Sequence, residues 1–399
     1  MGLNETVSAE RLHIGFFGMR NAGKSSLVNA VTAQSLSVVS PVKGTTTDPV
    51  KKAMELLPLG PVVILDTPGL DDEGELGLLR VQKAREVLNI TDIAVLVIDA
   101  TKGPSREDLA LREELEARKL PHLVAFNKAE LCSKEALASA NELYVSAVTG
   151  EGVEELKTKL GNFAKALKNP KYVVRDLLMP GDIAVLVTPI DEAAPKGRLI
   201  LPQQLVLRDI LDAHATAVVC QDSELAQTLE SLSKKPRMVI TDSQVFGKVA
   251  KTVPADIPLT SFSILMARYK GDLATLVRGF AALKSLGDGD GVLIAEGCTH
   301  HRQCNDIGSV KIPGWIEAFT GVKPSYQFTS GGEFPKELSP YRVIVHCGGC
   351  MLNEAAMRYR MDEADKAGVP IVNYGIAIAG MHGILARSLE LFPDILSLL

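Results

Sequence analysis

Two groups of residues have the types and spacing that chemistry would need. The first is Gly18-Met19-Arg20-Asn21-Ala22-Gly23-Lys24-Ser25, which fits G-x-x-x-x-G-K-[ST] between an apolar stretch and a helical pattern. Glycines let the backbone wrap a phosphate chain, while successive N–H groups and a helix N-terminus attract its charge. Lys24 would reach the β- and γ-phosphates, and the Ser25 hydroxyl would hold Mg2+. The second group is Cys298-x-His300, then 45 residues, then His346-Cys347-x-x-Cys350. Clustered thiols near histidines in a chain of this size favour a metal over a disulfide.

Four further elements follow the phosphate loop in order. Thr45-Thr46-Thr47-Asp48 lies in a loop flanked by glycine and proline, the place for a switch threonine, Thr46, on Mg2+. Asp66-Thr67-Pro68-Gly69 closes a strand, where the carboxylate would hold the metal through water and the Gly69 N–H would sense the γ-phosphate. Asn127-Lys128-Ala129-Glu130 resembles the guanine motif N-K-x-D, with a carboxylate one methylene longer than usual. Ser146-Ala147 fits the last motif, whose backbone supports the guanine carbonyl. The expected contacts to a guanine nucleotide are thus Gly18, Asn21, Ala22, Gly23, Lys24, Ser25, Ser26, Thr46, Asp66, Gly69, Asn127, Lys128, Glu130, Ser146 and Ala147. Lys24, Thr46 and Asp66 are the expected catalytic set. No glutamine follows Asp66-Thr67-Pro68-Gly69-Leu70 to orient an attacking water.

For the cysteine group, three chemistries fit the spacing. Zinc would take four ligands, Cys298, His300, Cys347 and Cys350. A disulfide across Cys347-Gly348-Gly349-Cys350 would make a redox module. A 4Fe-4S cluster would take three thiolates and a fourth, weaker ligand, and the glycine pair would let backbone approach it closely. Candidates for that fourth position are His300, His346, Cys304, Asp306 and Glu296. Cys298 and Cys347 each follow a strand pattern, and Cys350 is expected to start a helix over 351–367 whose positive end favours thiolates. Cys132 and Cys220 read as ordinary core or surface thiols.

These residues need elements to hold them. Strand patterns at Arg11–Gly18, Val62–Asp66, Ile93–Asp99, His122–Asn127 and Leu143–Ser146 alternate with helical ones at 25–32, 76–88, 106–118 and 153–168. Such alternation predicts a parallel sheet covered on both faces. Asn169-Pro170-Lys171 ends this part. Three strands are expected over 182–240 and three more, at 291–296, 343–346 and 370–373, with a last helix over 380–391. The fold class is therefore α/β: a P-loop parallel sheet followed by two smaller α/β domains, with boundaries at 1–170, 171–260 and 261–399. The middle one is a candidate dimerisation module.

Bulk properties narrow the class. The 399 residues are 46% hydrophobic and 23% charged, with a net charge of −5, an ordinary globular composition with no basic field for nucleic acid or anionic membrane. Residues 1–12 carry no apolar core of a signal peptide and no apolar run is long enough to span a bilayer, so a cytoplasmic location is expected.

The details of the nucleotide motifs resemble the TrmE-like branch of GTPases: Asn21 three residues after Gly18, and Gly44-Thr45-Thr46-Thr47-Asp48 in place of G-T-T-R-D. That resemblance implies K+ held beside the phosphates by Asn21 and slow, K+-stimulated hydrolysis. Over the whole length the chain resembles HydF, the family of FeFe-hydrogenase maturation GTPases, through C-x-H, a long gap and H-C-x-x-C, met by Cys298, His300, His346, Cys347 and Cys350. The resemblance implies a 4Fe-4S cluster on the three cysteines with one exchangeable position. It also implies a homodimer through the middle domain and a carrier role. The chain would receive a two-iron precursor made with two radical-SAM maturases and deliver it to apo FeFe-hydrogenase. An RNA-modification or ribosome-assembly GTPase with structural zinc is the second reading, against which the mild acidity counts. A redox enzyme is the third, against which the lack of a second cofactor motif counts.

Overall fold

The computed structural model describes residues 10–33, 50–69, 83–167, 171–189, 199–297 and 306–399. They divide into two compact units, Met1–Pro170 and Lys171–Leu399. In the first, strands β1 (Leu12–Phe17), β2 (Val50–Leu56), β3 (Gly60–Asp66), β4 (Ile93–Asp99), β5 (His122–Asn127) and β6 (Glu142–Tyr144) form one sheet in the order β2-β3-β1-β4-β5-β6. All neighbours are parallel except β2, which runs antiparallel to β3 and was not expected. Strand β4, Ile-Ala-Val-Leu-Val-Ile-Asp, is buried at every residue because helices cover both faces. Successive residues of β1 serve opposite sides: Phe16 joins Leu27, Val95 and Leu156, whereas Phe17 joins Leu65, Leu96 and Leu115. The expected helix at 76–88 is seen over 83–88, its earlier part lying outside the described residues.

The second unit holds two parallel sheets. Strands β7 (Ile183–Val187), β8 (Thr216–Cys220), β9 (Met238–Thr241) and β10 (Leu259–Ser261) form the order β10-β9-β7-β8. Four strands stand where three were expected, since β10 is only three residues long. Strands β11 (Gly291–Ala295), β12 (Ser325–Thr329), β13 (Val343–His346) and β14 (Ile371–Asn373) form β12-β11-β13-β14, also wholly parallel. One apolar cluster runs from Ala184 and Ile240 through Phe262 and Leu265 to Leu293, Val345 and Ile376. The boundary expected at residue 260 falls within β10, and this cluster is shared by the two sheets on either side of it. Two helix limits also differ. The single helix expected over 380–391 is broken into Tyr374–Met381 and Leu385–Ser388, with Gly383 in the left-handed region (φ 71°) between them. The helix expected over 351–367 runs over Glu354–Lys366. Among the described residues no helix is long and apolar enough to cross a membrane.

One buried side chain makes the first unit acid-sensitive. His13, at the edge of the core, is only 7% exposed, and its Nδ1 lies 2.9 Å from the Arg11 carbonyl oxygen. Burial, aided by Lys51, lowers its pKa to about 4 against the opposing backbone bond, even with Asp92 Oδ2 at 3.8 Å. The imidazole is neutral when folded and takes up a proton on unfolding at any pH below its ordinary value, so stability falls as pH drops from about 6.5 towards 4. Between pH 6.5 and 5 the loss should be about 2 kcal/mol. Denaturant titrations of wild type and His13→Gln at both pH values check this: the variant should show a shallower pH dependence, and equal slopes would place the acid sensitivity elsewhere.

Candidate functional site

The nucleotide motifs meet at the carboxyl ends of β1, β3 and β5. Gly18 (φ 139°), Asn21 (φ 63°) and Gly23 (φ 89°) give the phosphate loop its turns, and asparagine is the side-chain-bearing residue best suited to a left-handed φ. Gly23 also has no room for a side chain, because a Cβ there would lie 2.2 Å from Asn127 Nδ2. Lys24, 7% exposed, starts the Lys24–Thr32 helix and donates to the Gly18 and Met19 carbonyl oxygens at 2.8 Å. The next residue, Ser25, donates its hydroxyl to Asp66 Oδ2 at 2.6 Å, so the two groups expected on Mg2+ stand together. Ser26 follows in the first turn of that helix, and Gly69 lies three residues beyond β3. Thr46 lies outside the described residues.

Asn127 is the joint between the two ends of this edge. Its Nδ2 donates to the Ala22 carbonyl oxygen at 2.9 Å, and its Oδ1 accepts from the Ala147 N–H at 3.1 Å. The fully buried Ser146 accepts from the Thr149 N–H through its hydroxyl, which closes the last loop. Lys128 sits at φ 67° and pairs with Asp99 at 2.6 Å. Burial alone would raise the Asp99 pKa, but Lys128 and Thr101 hold it below the usual range. Glu130 is exposed in a short 3-10 turn over Ala129–Leu131.

In the second unit, β11 and β13 are adjacent and parallel, with Ala295 opposite His346. Cys347 follows directly, and its N–H continues the ladder to the Ala295 carbonyl oxygen at 2.8 Å. Two backbone amides then point at its sulfur: Gly297 N–H at 3.0 Å and Gly349 N–H at 3.4 Å. Neither glycine can be replaced easily. A Cβ on Gly297 would lie 2.7 Å from Leu352 Cγ, and one on Gly349 (φ 62°) would lie 2.8 Å from Met357 Sδ. The close approach of backbone through the Gly348-Gly349 pair was expected, whereas the Gly297 amide was not; the glycine before Cys298 was its trace in the sequence. Cys350 does not start a helix, because Asn353 caps the helix by accepting from the Ala356 N–H, while the Cys350 and Leu352 carbonyls are taken by Lys270 Nζ at 3.2 and 2.8 Å. Burial pushes the Cys350 thiol pKa up, with Lys270 opposing.

The other expected ligands divide. His346, expected among the metal ligands, is fully buried, with Nδ1 2.6 Å from the Cys347 carbonyl oxygen and Nε2 2.8 Å from Arg360 Nη1. A carbonyl only accepts and a guanidinium only donates, so Nδ1 carries the proton and neither nitrogen is left for a metal. Burial first, then Arg360, lowers its pKa to about 3. Glu296, 4% exposed, accepts from the Tyr374 hydroxyl at 3.3 Å. Asp306 Oδ2 accepts from the N–H and hydroxyl of Ser309 and opens a π-type turn over Ile307–Lys311. Burial, with Glu296, Cys347 and Asp306 nearby, pushes the Tyr374 phenol pKa well up. Cys298, His300 and Cys304 lie outside the described residues, and among the described ones no three metal-binding side chains converge. Of the remaining thiols, Cys220 is buried and Cys132 half-buried.

The model of the hydrogen maturase F dimerization domain matches residues 173–271, and that of the hydrogen maturase F tetramerization domain matches 274–391, together over half of the chain. The chain belongs to the hydrogen maturase F family. Residues 13–128 match a model described as a 50S ribosome-binding GTPase, so the first unit is a GTPase domain. GTPase Der of Kosmotoga olearia is 33% identical over 170 residues, 38% of this chain and 38% of that protein. The tRNA modification GTPase MnmE of Desulfotalea psychrophila is 32% identical over 151 residues, 35% of this chain and 32% of that protein. The chain thus spans less than two fifths of the length of these curated relatives. Among solved structures, Era of Aquifex aeolicus aligns with a TM-score of 0.34 and 19% identity, covering 53% of this chain and 94% of that one.

The joint at Asn127 gives a direct test of the nucleotide edge. Asn127→Ala removes both bonds, each worth about 0.5–1.5 kcal/mol. Affinity for a fluorescent GDP analogue should fall roughly 5- to 100-fold; an unchanged Kd would show that the loop holds its shape without the joint.

Proposed function

We propose that this maturase F chain is a GTP-hydrolysing scaffold that carries a 4Fe-4S cluster and hands a two-iron precursor to apo FeFe-hydrogenase. The observation that carries the reading is the cradle around Cys347. Two amide donors on one sulfur, at the carboxyl ends of paired parallel strands, suit a thiolate that carries charge and not a buried neutral thiol. The donor set fits a cluster: Cys347 and Cys350 on one loop, the stem leading to Cys298 beside them, and the carboxylates Glu296 and Asp306 close to Tyr374. Cys298, Cys347 and Cys350 would hold the cluster, which would supply an iron with one replaceable ligand for the precursor. The identity of that fourth ligand falls to Glu296, Asp306, His300 or Cys304.

In the GTPase unit, Lys24 and the loop amides neutralise phosphate charge, and Ser25, Thr46 and Asp66 hold Mg2+. Asn21, exposed and left-handed, is suited to K+ beside the phosphates. Hydrolysis would gate partner exchange, since a switch loop ordered by the γ-phosphate is a two-state element. Self-association through residues 173–271 and 274–391 is consistent with the names of the matched domains. The two radical-SAM maturases are the proposed source of the precursor. A tRNA-modification role is suggested only by relatives matched over little more than a third of this chain.

Anaerobic iron and sulfide analysis with EPR separates these readings. Reconstituted protein should hold roughly four irons per chain and, when reduced, give an S = 1/2 signal that changes with added imidazole. Cys347→Ser should lose the iron and keep GTP hydrolysis, and Lys24→Ala should do the reverse. Zinc at a one-to-one ratio without an EPR signal would end the carrier reading in favour of a GTPase with structural zinc.

A further inference from the structure

We propose that Arg360 supplies a fixed positive charge to the cluster proposed on the Cys347–Cys350 loop, and so governs how readily that cluster is reduced. The inference rests on the cluster reading above. Arg360 lies within the Glu354–Lys366 helix, on its buried stripe with Ala356, Met357 and Ala364, and is 2% exposed. All its partners among the described residues are neutral. Nη1 donates to His346 Nε2 at 2.8 Å; Nη2 donates to the Gly331 carbonyl oxygen at 2.6 Å and to that of Glu333 at 3.4 Å; and the guanidinium lies 5.2 Å from the centre of the Phe334 ring. No carboxylate pairs with it among the described residues.

A buried guanidinium without an anion costs several kcal/mol of lost hydration, and its four neighbours could be served by neutral donors. The charge is therefore retained for an anion in its field. Cys347, whose carbonyl accepts from the same His346 that Arg360 grips, is that anion when it is a thiolate. Burial lowers the Arg360 pKa, and Cys347 and Tyr359 oppose that shift. On the other side of the loop Lys270, 5% exposed, donates to the Cys350 and Leu352 carbonyl oxygens. A site of three thiolates is net negative, and each electron added makes it more so. A desolvated cation nearby stabilises the reduced form, as net charge and burial set cluster potentials.

The test is an EPR-monitored reduction of the reconstituted full chain by dithionite, one electron per cluster, in wild type, Arg360→Gln and Arg360→Lys. The Gln variant should disfavour the reduced form by at least roughly tenfold, a midpoint lower by about 59 mV for a one-electron couple, and the Lys variant should recover most of it. A Gln midpoint equal to wild type, or a Lys midpoint as low as that of Gln, overturns the proposal. If Gln loses its iron and Lys keeps it, the charge is again what the site needs. Loss of iron or of fold in both would make Arg360 a brace for the loop at 331–334, and the proposal fails. Wild-type protein that takes zinc and no iron would instead end the cluster reading itself.

Discussion

The parallel pairing of β11 with β13 is the constraint on which the thiol site depends. Ala295 stands opposite His346, and the Cys347 N–H extends the ladder by one further bond. That register brings the residues just beyond the two strands side by side, so the Gly297 amide reaches the Cys347 sulfur. A slip of one residue would send Cys347 to the other face of the sheet and leave the amide facing apolar packing. The strands themselves are held by burial, since Val292–Ala295 and Val343–His346 are fully enclosed. Sulfur chemistry here is thus positioned by aliphatic packing, and the backbone supplies the polar contacts.

The nucleotide edge uses the same architecture with a different joint. Open α/β sheets offer ligands the crevice at the carboxyl ends of their strands. In the first unit the parts converging there come from the loops after β1, β3, β5 and β6, and Asn127 at the end of β5 ties the first and last through Ala22 and Ala147. In the second unit two glycine amides and one lysine play that part. Both edges are lined by backbone groups whose direction is fixed by residues without side chains: Gly18 and Gly23 in one, Gly297 and Gly349 in the other. Substituting any of these four changes where a donor points, not merely how much space is filled.

Much of this was legible in the sequence, because buried parallel strands read as short apolar runs and the phosphate loop has a fixed order. What was missed shares a physical cause. Strands β2, β10 and β12 lie at sheet edges or are very short; β2 carries Lys51, Lys52 and Glu55, and β12 is largely exposed, so no apolar run announces them. Cys350 was assigned to a helix because 351–367 is helical in composition; a cap at Asn353 overrides that pattern. Arg360 belongs to none of the motifs read in the sequence. Its place four residues after Ala356 and four before Ala364 was the available signal, since an arginine on an apolar stripe must find something polar inside.

His346 is a motif histidine whose two ring nitrogens are both engaged by protein groups. With its pKa lowered to about 3, it stays neutral at any ordinary pH, and its lone pair faces Arg360. A carboxylate in that position would orient the guanidinium equally well but would cancel its charge before it reached the sulfur. An apolar residue would preserve the charge but leave a buried donor unsatisfied, at about 1–3 kcal/mol. An amide side chain could accept from the guanidinium, yet would hardly reach the Cys347 carbonyl with its own donor. Imidazole meets both demands: Nδ1 braces the carbonyl of the cysteine that follows it, and Nε2 accepts from the cation without neutralising it. In the site proposed above, the histidine of H-C-x-x-C would be the part that aims a buried positive charge, from a strand position where both its ring nitrogens are taken by protein groups.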